Sequence, residues 1–466
     1  MKKKKNLYSS IFILFIFTLI SCNKNENKLV ENKKPIYGLE TINLWEPTDS
    51  AIFIDPNNTT DTLQDGTKLH PFSSFKLIKK WKLNGVYAIK RGTTLETDAI
   101  VVGADGITLA SYGSGNVRPI IKSSTKDHAV STNYEGSNNT TFRDLEVYAP
   151  NATSCVIFRT NSQNSKIINC KLHGAIWGLR ALNGNMSRLY IYNTEIFDIQ
   201  DDGMFIQNVN NIEISHCYVH KVNQKWKPPT TPEGDAPGDG IQLSLCEHWH
   251  VHHCYIDRSD TGNKFCFISN NPDQKDGIFE YNYLTGPDYD GFSIYMHDGD
   301  GMIVRYNKIM GPSFSPCYSH GTNIKFYYNE VIDVTGPFFA DKSALVYNNL
   351  FYRSVKYDSI KPLAIMGGDI TAKNNIFDLG SDKIYRFKIS GNLIEDHNLF
   401  VYGDSTKGSW KGDPRYLDKI NKNFRPAIGS IVIDKGIDLG FTEDFDGNNV
   451  PSGISPEIGP YEYTRK

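Results

Sequence analysis

Ile167-Ile168-Asn169-Cys170-Lys171-Leu172, Ile214-Ser215-His216-Cys217-Tyr218-Val219 and Val251-His252-His253-Cys254-Tyr255-Ile256 are one phrase written three times. Phe279 to Leu284, Val304 to Ile309 and Phe326 to Val331 repeat it with Asn282, Asn307 and Asn329 at the anchor, and looser copies sit at Asn193, Asn349, Asn375 and Asn398. The anchors step by 23, 24, 37, 28, 25, 22, 20, 26 and 23 residues. Such a period is too short for a βα unit with a full helix and fits three short strands joined by turns. Identical turns stacked roughly 4.8 Å apart place like side chains above one another. Asn at the anchor then donates to one turn and accepts from the next, and a small cysteine fills the same slot as an apolar plug.

The fold class this implies is all-β: a single-stranded right-handed parallel β-helix with an N-terminal cap and an irregular C-terminal cap, because an open solenoid end is an unpaired sheet edge. A second strand per turn aligns Gly178-Leu179-Arg180-Ala181 with Gly203-Met204-Phe205-Ile206 and Gly240-Ile241-Gln242-Leu243. The alignment continues through Lys264-Phe265-Cys266-Phe267 and Gly291-Phe292-Ser293-Ile294. With period 2, the second and fourth residues face inward and the others line one outer strip. Lys264 stands out there as a cation where four turns have glycine. The 37-residue step holds a loop, Lys225 to Pro237, over one face.

The N-terminus reads as an export signal. Lys2 to Lys5 precede the apolar stretch Ile11 to Ile20, which is too short for a mature membrane span and ends in the lipobox-like Leu19-Ile20-Ser21-Cys22. The expected division is a lipoprotein signal peptide at 1–21, a flexible tether at 22–46, the β-helix at 47–440 and a C-terminal cap segment at 441–466, with the lipid on Cys22. That makes the protein an outer-membrane lipoprotein facing the periplasm or cell surface, working as a monomer. Lys+Arg 50 against Asp+Glu 52 gives no global field for nucleic acid. The seven remaining cysteines are odd in number and show no C-x-x-C spacing, so Cys170, Cys217 and Cys254 read as ladder filler.

Around the strip gather Asp201, Asp202, Asp239, Arg258, Asp260, Asn263, Lys264, Tyr295 and His297, with Arg180 and Gln242 on it. Titratable groups concentrated on a few turns mark a functional groove. His248, His250, His252 and His253 lack the acid or cysteine that a zinc set needs. Tyr281, Tyr306 and Tyr328 recur at turn spacing as a stacked ladder, and Asp446-Gly447-Asn448 reads as a cap turn.

From about residue 50 the chain resembles the β-helical polysaccharide lyases, in particular the chondroitinase-B-like and alginate lyase group. Ala51 to Asp55, His70-Pro71-Phe72 and Ile89 to Thr93 resemble that group's first turns, with a helical stretch at Phe75 to Lys82 as plug. Asp201-Asp202-Gly203 and Gly262-Asn263-Lys264-Phe265 are similar to pectate lyases that pair a lysine base with calcium-binding aspartates, although there the lysine falls where this chain has Cys266. The resemblance implies β-elimination on an acidic polysaccharide. Lys264 would be the base, Arg258 and Arg180 would hold the uronate carboxylate and lower the lysine pKa, and Tyr295 or His297 would protonate the leaving oxygen. Gln242, Asp202, Asp239 and Asn263 would bind substrate, and Asp201, Asp202, Asp239 and Asp260 are the candidate Ca²⁺ ligands. Two other readings stay open on the same fold. One is a glycoside hydrolase using Asp202 and Asp239, stacked ~5 Å apart; the other is a glycan-binding solenoid without catalysis.

Overall fold

The computed structural model describes residues 37–464 except Asn183, Asn185, 223–237, 260–264, 271–275, 287–290, 355–362 and 381–386. The chain divides into Met1–Lys34 and Pro35–Lys466, and all described residues belong to the second unit. Cys22, the 225–237 insertion, Asp260, Asn263 and Lys264 therefore lie outside the described residues.

Parallel strands build a right-handed β-solenoid of about eleven turns, three strands to a turn. The first sheet carries Ser154–Phe158, Trp177–Ala181, Met204–Gln207, Ile241–Ser244, Phe267–Asn270 and Ile294–Met296 on successive turns. Its inward residues Leu179, Met204, Ile241, Phe267 and Ile294 stack in register and are fully buried. A second sheet stacks Ile167, Ile191, Ile214, Val251, Phe279, Val304 and Phe326 inward. A third stacks Leu172, Ile196, Val219, Ile256, Leu284, Ile309 and Val331. In later turns the first two strands fuse into one, at Phe338–Tyr347 and Ile365–Lys373.

The bend from the second sheet to the third is made by one residue per turn in the left-handed region. Asp144, Asn169, Asn193, His216, His253, Tyr281, Tyr306, Tyr328, Asn348, Asn374 and His397 have φ between +51° and +58°. Asn, Asp and His tolerate that conformation; the bulky Tyr does not favour it, and ring stacking along the coil offsets the strain. Ring centroids along His253, Tyr281, Tyr306 and Tyr328 are 5.1, 4.8 and 5.5 Å apart. The expected tyrosine ladder is there.

The next residue of each turn points inward and forms the anchor row. Asn307 Oδ1 accepts the backbone N–H of Asn282 at 2.9 Å, and Asn329, Asn349, Asn375 and Asn398 repeat the pattern at 2.8–3.0 Å. Cys170, Cys217 and Cys254 occupy the same row, their thiols donating to carbonyls such as Ser215 O and His252 O, both at 3.3 Å. Asn193, expected on this row, is one residue off: it makes the bend, and Thr194 takes the inward slot. All seven described cysteines are buried and free.

Both ends differ from expectation in detail. The expected helix at Phe75 to Lys82 is a single 3-10 turn, Phe75–Leu77, with Phe75, Ile78 and Trp81 packed on the core. The coil's parallel rows end at Trp410–Lys411, well before residue 440. The chain then makes an antiparallel hairpin, Tyr416–Asp418 with Asn423–Pro426.

The two termini of this unit cover the bend. Residues 37–46, expected within the flexible tether, form a strap along its first half. Gly38 N–H donates to His253 O at 2.8 Å, Glu40 N–H to Asn193 Oδ1 at 2.6 Å and Trp45 N–H to Asp144 Oδ2 at 3.2 Å. Arg91 then holds Trp45 O at 2.8 Å. The C-terminal segment covers the second half: Tyr306 Oη donates to Glu443 O at 3.1 Å, and Asn374 Nδ2 to Ile437 O at 2.9 Å. Phe441 packs on Tyr327 and Tyr328. The outward row of the first sheet instead keeps Arg180, Phe205, Gln242, Tyr295 and Tyr318 partly exposed.

Candidate active site

Backbone pairing fixes the outer strip as Arg180, Phe205, Gln242, Ile268, Tyr295, Tyr318, Phe339 and Met366 on eight successive turns. Arg180, Gln242 and Tyr295 thus share one row, as expected. The same register corrects the alignment at Lys264. Gly203 and Gly240 are followed on the next turns by Cys266 and Ser293, so Lys264 precedes the glycine position by two residues and is no glycine replacement. A two-residue slip keeps the same residues inward, which is why period 2 did not expose it.

Asp202 and Asp239 lie at the turn before the strip, each only 6% exposed. Asp202 Oδ1 accepts Asp239 N–H at 2.6 Å, and Asp239 Oδ1 accepts Phe265 N–H at 3.0 Å. Each carboxylate therefore ties its turn to the following one. Burial, with Asp239 and Asp201 adding like charge, pushes the Asp202 carboxyl well above the usual range. Arg258 is a further correction. It is fully buried rather than on the groove, with its charge felt by Asp202 and Cys266, so it cannot touch a substrate carboxylate directly. Among the described residues no three His, Cys, Asp or Glu converge as metal ligands. Asp202 and Asp239 each commit one oxygen to backbone of the following turn, and Asp260, the fourth candidate ligand, lies outside the described residues.

At the N-terminal end of the strip the Arg180 guanidinium lies 4.3 Å over Trp177 and 5.9 Å from Phe205. Burial, reinforced by Arg159 and Arg180 against the opposing pull of Asp127, drives His128 down to about 4 and keeps it neutral.

Towards the other end, Tyr295 sits beside two histidines. The strand Ile294–Met296 runs into His297, and pairing of Tyr295 with Tyr318 and Met296 with Ser319 sets His320 on the adjacent turn. Their rings lie 6.4 and 6.1 Å from Tyr295 and 5.8 Å from each other. His297 Nδ1 is 3.0 Å from Asp298, which Lys342 Nζ also holds at 3.0 Å, and His320 Nδ1 bonds Asp341 at 2.8 Å. Lys342 keeps the Asp298 carboxyl below its usual range, and burial raises the Tyr295 phenol, so it stays protonated at neutral pH. A protonated phenol beside two imidazoles, one of them hydrogen-bonded to a carboxylate, can give and take protons. Tyr295 and His297 are the residues expected from the sequence; His320, Asp298, Asp341 and Lys342, which the structure places around them, are not among those expected. The signal was present: Tyr318-Ser319-His320 repeats Tyr295-Met296-His297 one turn later.

The histidines at 248, 250, 252 and 253 belong to the second sheet and the bend. His250 bonds Glu280 at 2.8 Å, and burial beside His250 and His253 drives His252 down to about 3.

Aromatic rings continue the strip. Phe265 stacks on Tyr295 at 5.0 Å, Tyr295 on Tyr318 at 5.7 Å and Tyr318 on Phe339 at 4.3 Å.

The family model described as "Right handed beta helix region" matches residues 99–274 and 154–331, together half of the chain. No curated protein matches. Among solved structures, the PL6 family alginate lyase AlyGC superposes with a TM-score of 0.54 at 13% identity, covering 83% of this chain and 56% of that one. XylC in complex with xylose gives 0.51 at 10% identity, covering 89% and 99%. A GH136 lacto-N-biosidase from Eubacterium ramulus gives 0.48 at 13% identity, covering 75% and 67%. At such identities the two superpositions with TM-scores above 0.5 show a shared fold alone.

Proposed function

We infer that this chain, which belongs to the right-handed β-helix family, is a carbohydrate-active enzyme that cleaves a uronate-containing, alginate-like polysaccharide by β-elimination. The observation that carries the reading is Tyr295 beside His297 and His320, with His320 hydrogen-bonded to the Asp341 carboxylate, on the row that also bears Arg180.

The chemistry suits those groups. The C5 proton of a uronate is weakly acidic until a cation neutralises the carboxylate; Arg180 or a protonated imidazole of the pair supplies that charge. A base takes the C5 proton, the C4–O bond breaks with its electrons going to the bridging oxygen, and a C4=C5 double bond forms. Tyr295 protonates the departing oxygen. Lys264 is the proposed base; it immediately precedes Phe265, whose ring stacks on Tyr295. Asp202 and Asp239 are each only 6% exposed, which supports elimination over hydrolysis, because a hydrolase needs both carboxyl groups at the sugar. We also propose that a lipid on Cys22 holds the enzyme at the outer membrane, so Cys22→Ser should release it to the soluble fraction.

The decisive experiment offers alginate, galacturonan and glycosaminoglycan and follows the ultraviolet absorbance of an unsaturated uronate. Its appearance with wild type and loss in Lys264→Ala support the mechanism. A saturated reducing end indicates a hydrolase, binding without chain shortening indicates a glycan-binding solenoid, and undiminished product from Lys264→Ala removes the lysine from its role.

A further inference from the structure

We propose that the groove selects a polymer whose sugars carry an apolar substituent, an O-acyl group, seated in a pocket beside Tyr318. The inference rests on the reading of the strip as a glycan-binding groove and names the decoration that the substrate bears.

Next to the catalytic candidates the strip opens into a cavity of about 440 Å³ walled by Phe314, Tyr318, Pro337, Phe339, Leu363 and Met366. Tyr318, Phe339 and Met366 are the residues that follow Tyr295 on the next three turns of the same row. Turns are spaced about 4.8 Å apart, comparable to one sugar ring, so a chain lying along the strip at Tyr295 passes this cavity with its next units. Besides the Tyr318 phenol the wall contains two aliphatic hydroxyls, and both are spent on main-chain carbonyls. Ser315 Oγ lies 2.9 Å from Cys317 O and 2.5 Å from Pro337 O, its single proton going to one of them, and Thr335 Oγ1 donates to Ser313 O at 2.6 Å. An unsubstituted sugar entering here brings hydroxyls that find few partners and lose their water. An acyl group brings methyl and carbonyl carbon to aromatic edges and gains by burial. Phe314, 48% exposed at the mouth, lies perpendicular to Phe292 at 5.5 Å and presents the surface such a group would cover.

Titration calorimetry with an O-acetylated uronate oligosaccharide, and with the same oligosaccharide after mild alkaline de-esterification, tests this. Wild type should bind the acetylated form about tenfold more tightly, the effect of burying an acetyl-sized group. Phe314→Ala, at an exposed position that leaves the melting temperature unchanged, should cut the preference to about twofold without altering affinity for the de-esterified form. Equal wild-type affinity for the two forms, equal weakening of both by Phe314→Ala, or binding of neither overturns the pocket. The two readings fail separately: a clear preference with no unsaturated product overturns elimination and keeps the pocket, while equal cleavage of both forms does the reverse.

Discussion

Two rows of stacked side chains run the length of this coil, and they differ in what lies on top of them. The bend between the second and third sheets carries Asn, His and Tyr in register and is covered by residues 37–46 over its first half and by the C-terminal segment over its second. The first sheet's outer row carries Arg180, Gln242, Tyr295 and Tyr318 in equally strict register and remains partly exposed. Stacking alone therefore does not mark function, since aromatic ladders occur on both rows. Cover does: on the bend the Tyr306 phenol ends on the main-chain carbonyl of Glu443 and Tyr328 is buried, whereas on the strip Tyr295 keeps titratable neighbours and solvent.

The contrast can be broken by substitution. Tyr306 is 6% exposed and stacked on both sides, so Tyr306→Ala should cost about 3–5 kcal/mol in denaturant unfolding while leaving kcat of the folded fraction intact. Tyr295→Phe keeps the stacked ring and removes the phenol; cleavage should fall about a hundredfold or more with little change in the unfolding midpoint. Should Tyr295→Phe unfold the protein and Tyr306→Ala silence it, the assignment of the two rows is reversed.

A third, smaller effect comes from acid. Burial pushes Glu280 up, but hydrogen bonds with His250 and Arg305 outweigh it and hold the carboxyl down to about 2. A depressed carboxylate stabilises the fold above its unfolded value near 4.5 and loses that contribution as pH falls from there to about 2. Wild-type stability should drop by about 2–3 kcal/mol through that window, and Glu280→Gln should flatten the curve. Smallest is Cys266→Ala, directly beneath the strip: about 1 kcal/mol of stability and no change in cleavage, because burial raises this thiol far out of its reactive range. An altered rate there would show chemistry reaching through the sheet.

The turn period, the inward residues and the asparagine row were readable because stacking forces like residues to recur at one spacing. Errors arose where two registers satisfy the same rule. Phe265-Cys266-Phe267 alternates identically after a two-residue slip, which made Lys264 look like a glycine exception. Asn193 suits both a left-handed bend and an inward amide, so the repeat alone does not distinguish it from Thr194 as the anchor. Arg258 is a charged residue after a strand, normally a surface feature, and only the packing of turns reveals that it is buried. His320 and Asp341 lay beyond the last aligned quartet, although the Tyr-x-His repeat announced the first of them.

The strap at residues 37–46 has a mechanical consequence. It runs against the direction of coil growth, from the turn of His253 and Tyr283 back past Asn193 and Asp144 to Arg91. A pull applied at Tyr37 meets Gly38's bond first, then Glu40's, then Trp45's, so the contacts peel one after another instead of shearing together. Ten residues released this way add at most about 35 Å of slack before any turn of the coil bears load. The segment works as a fuse: force spends itself on a few surface hydrogen bonds, and the stacked sheets that hold the groove in shape are the last to feel it.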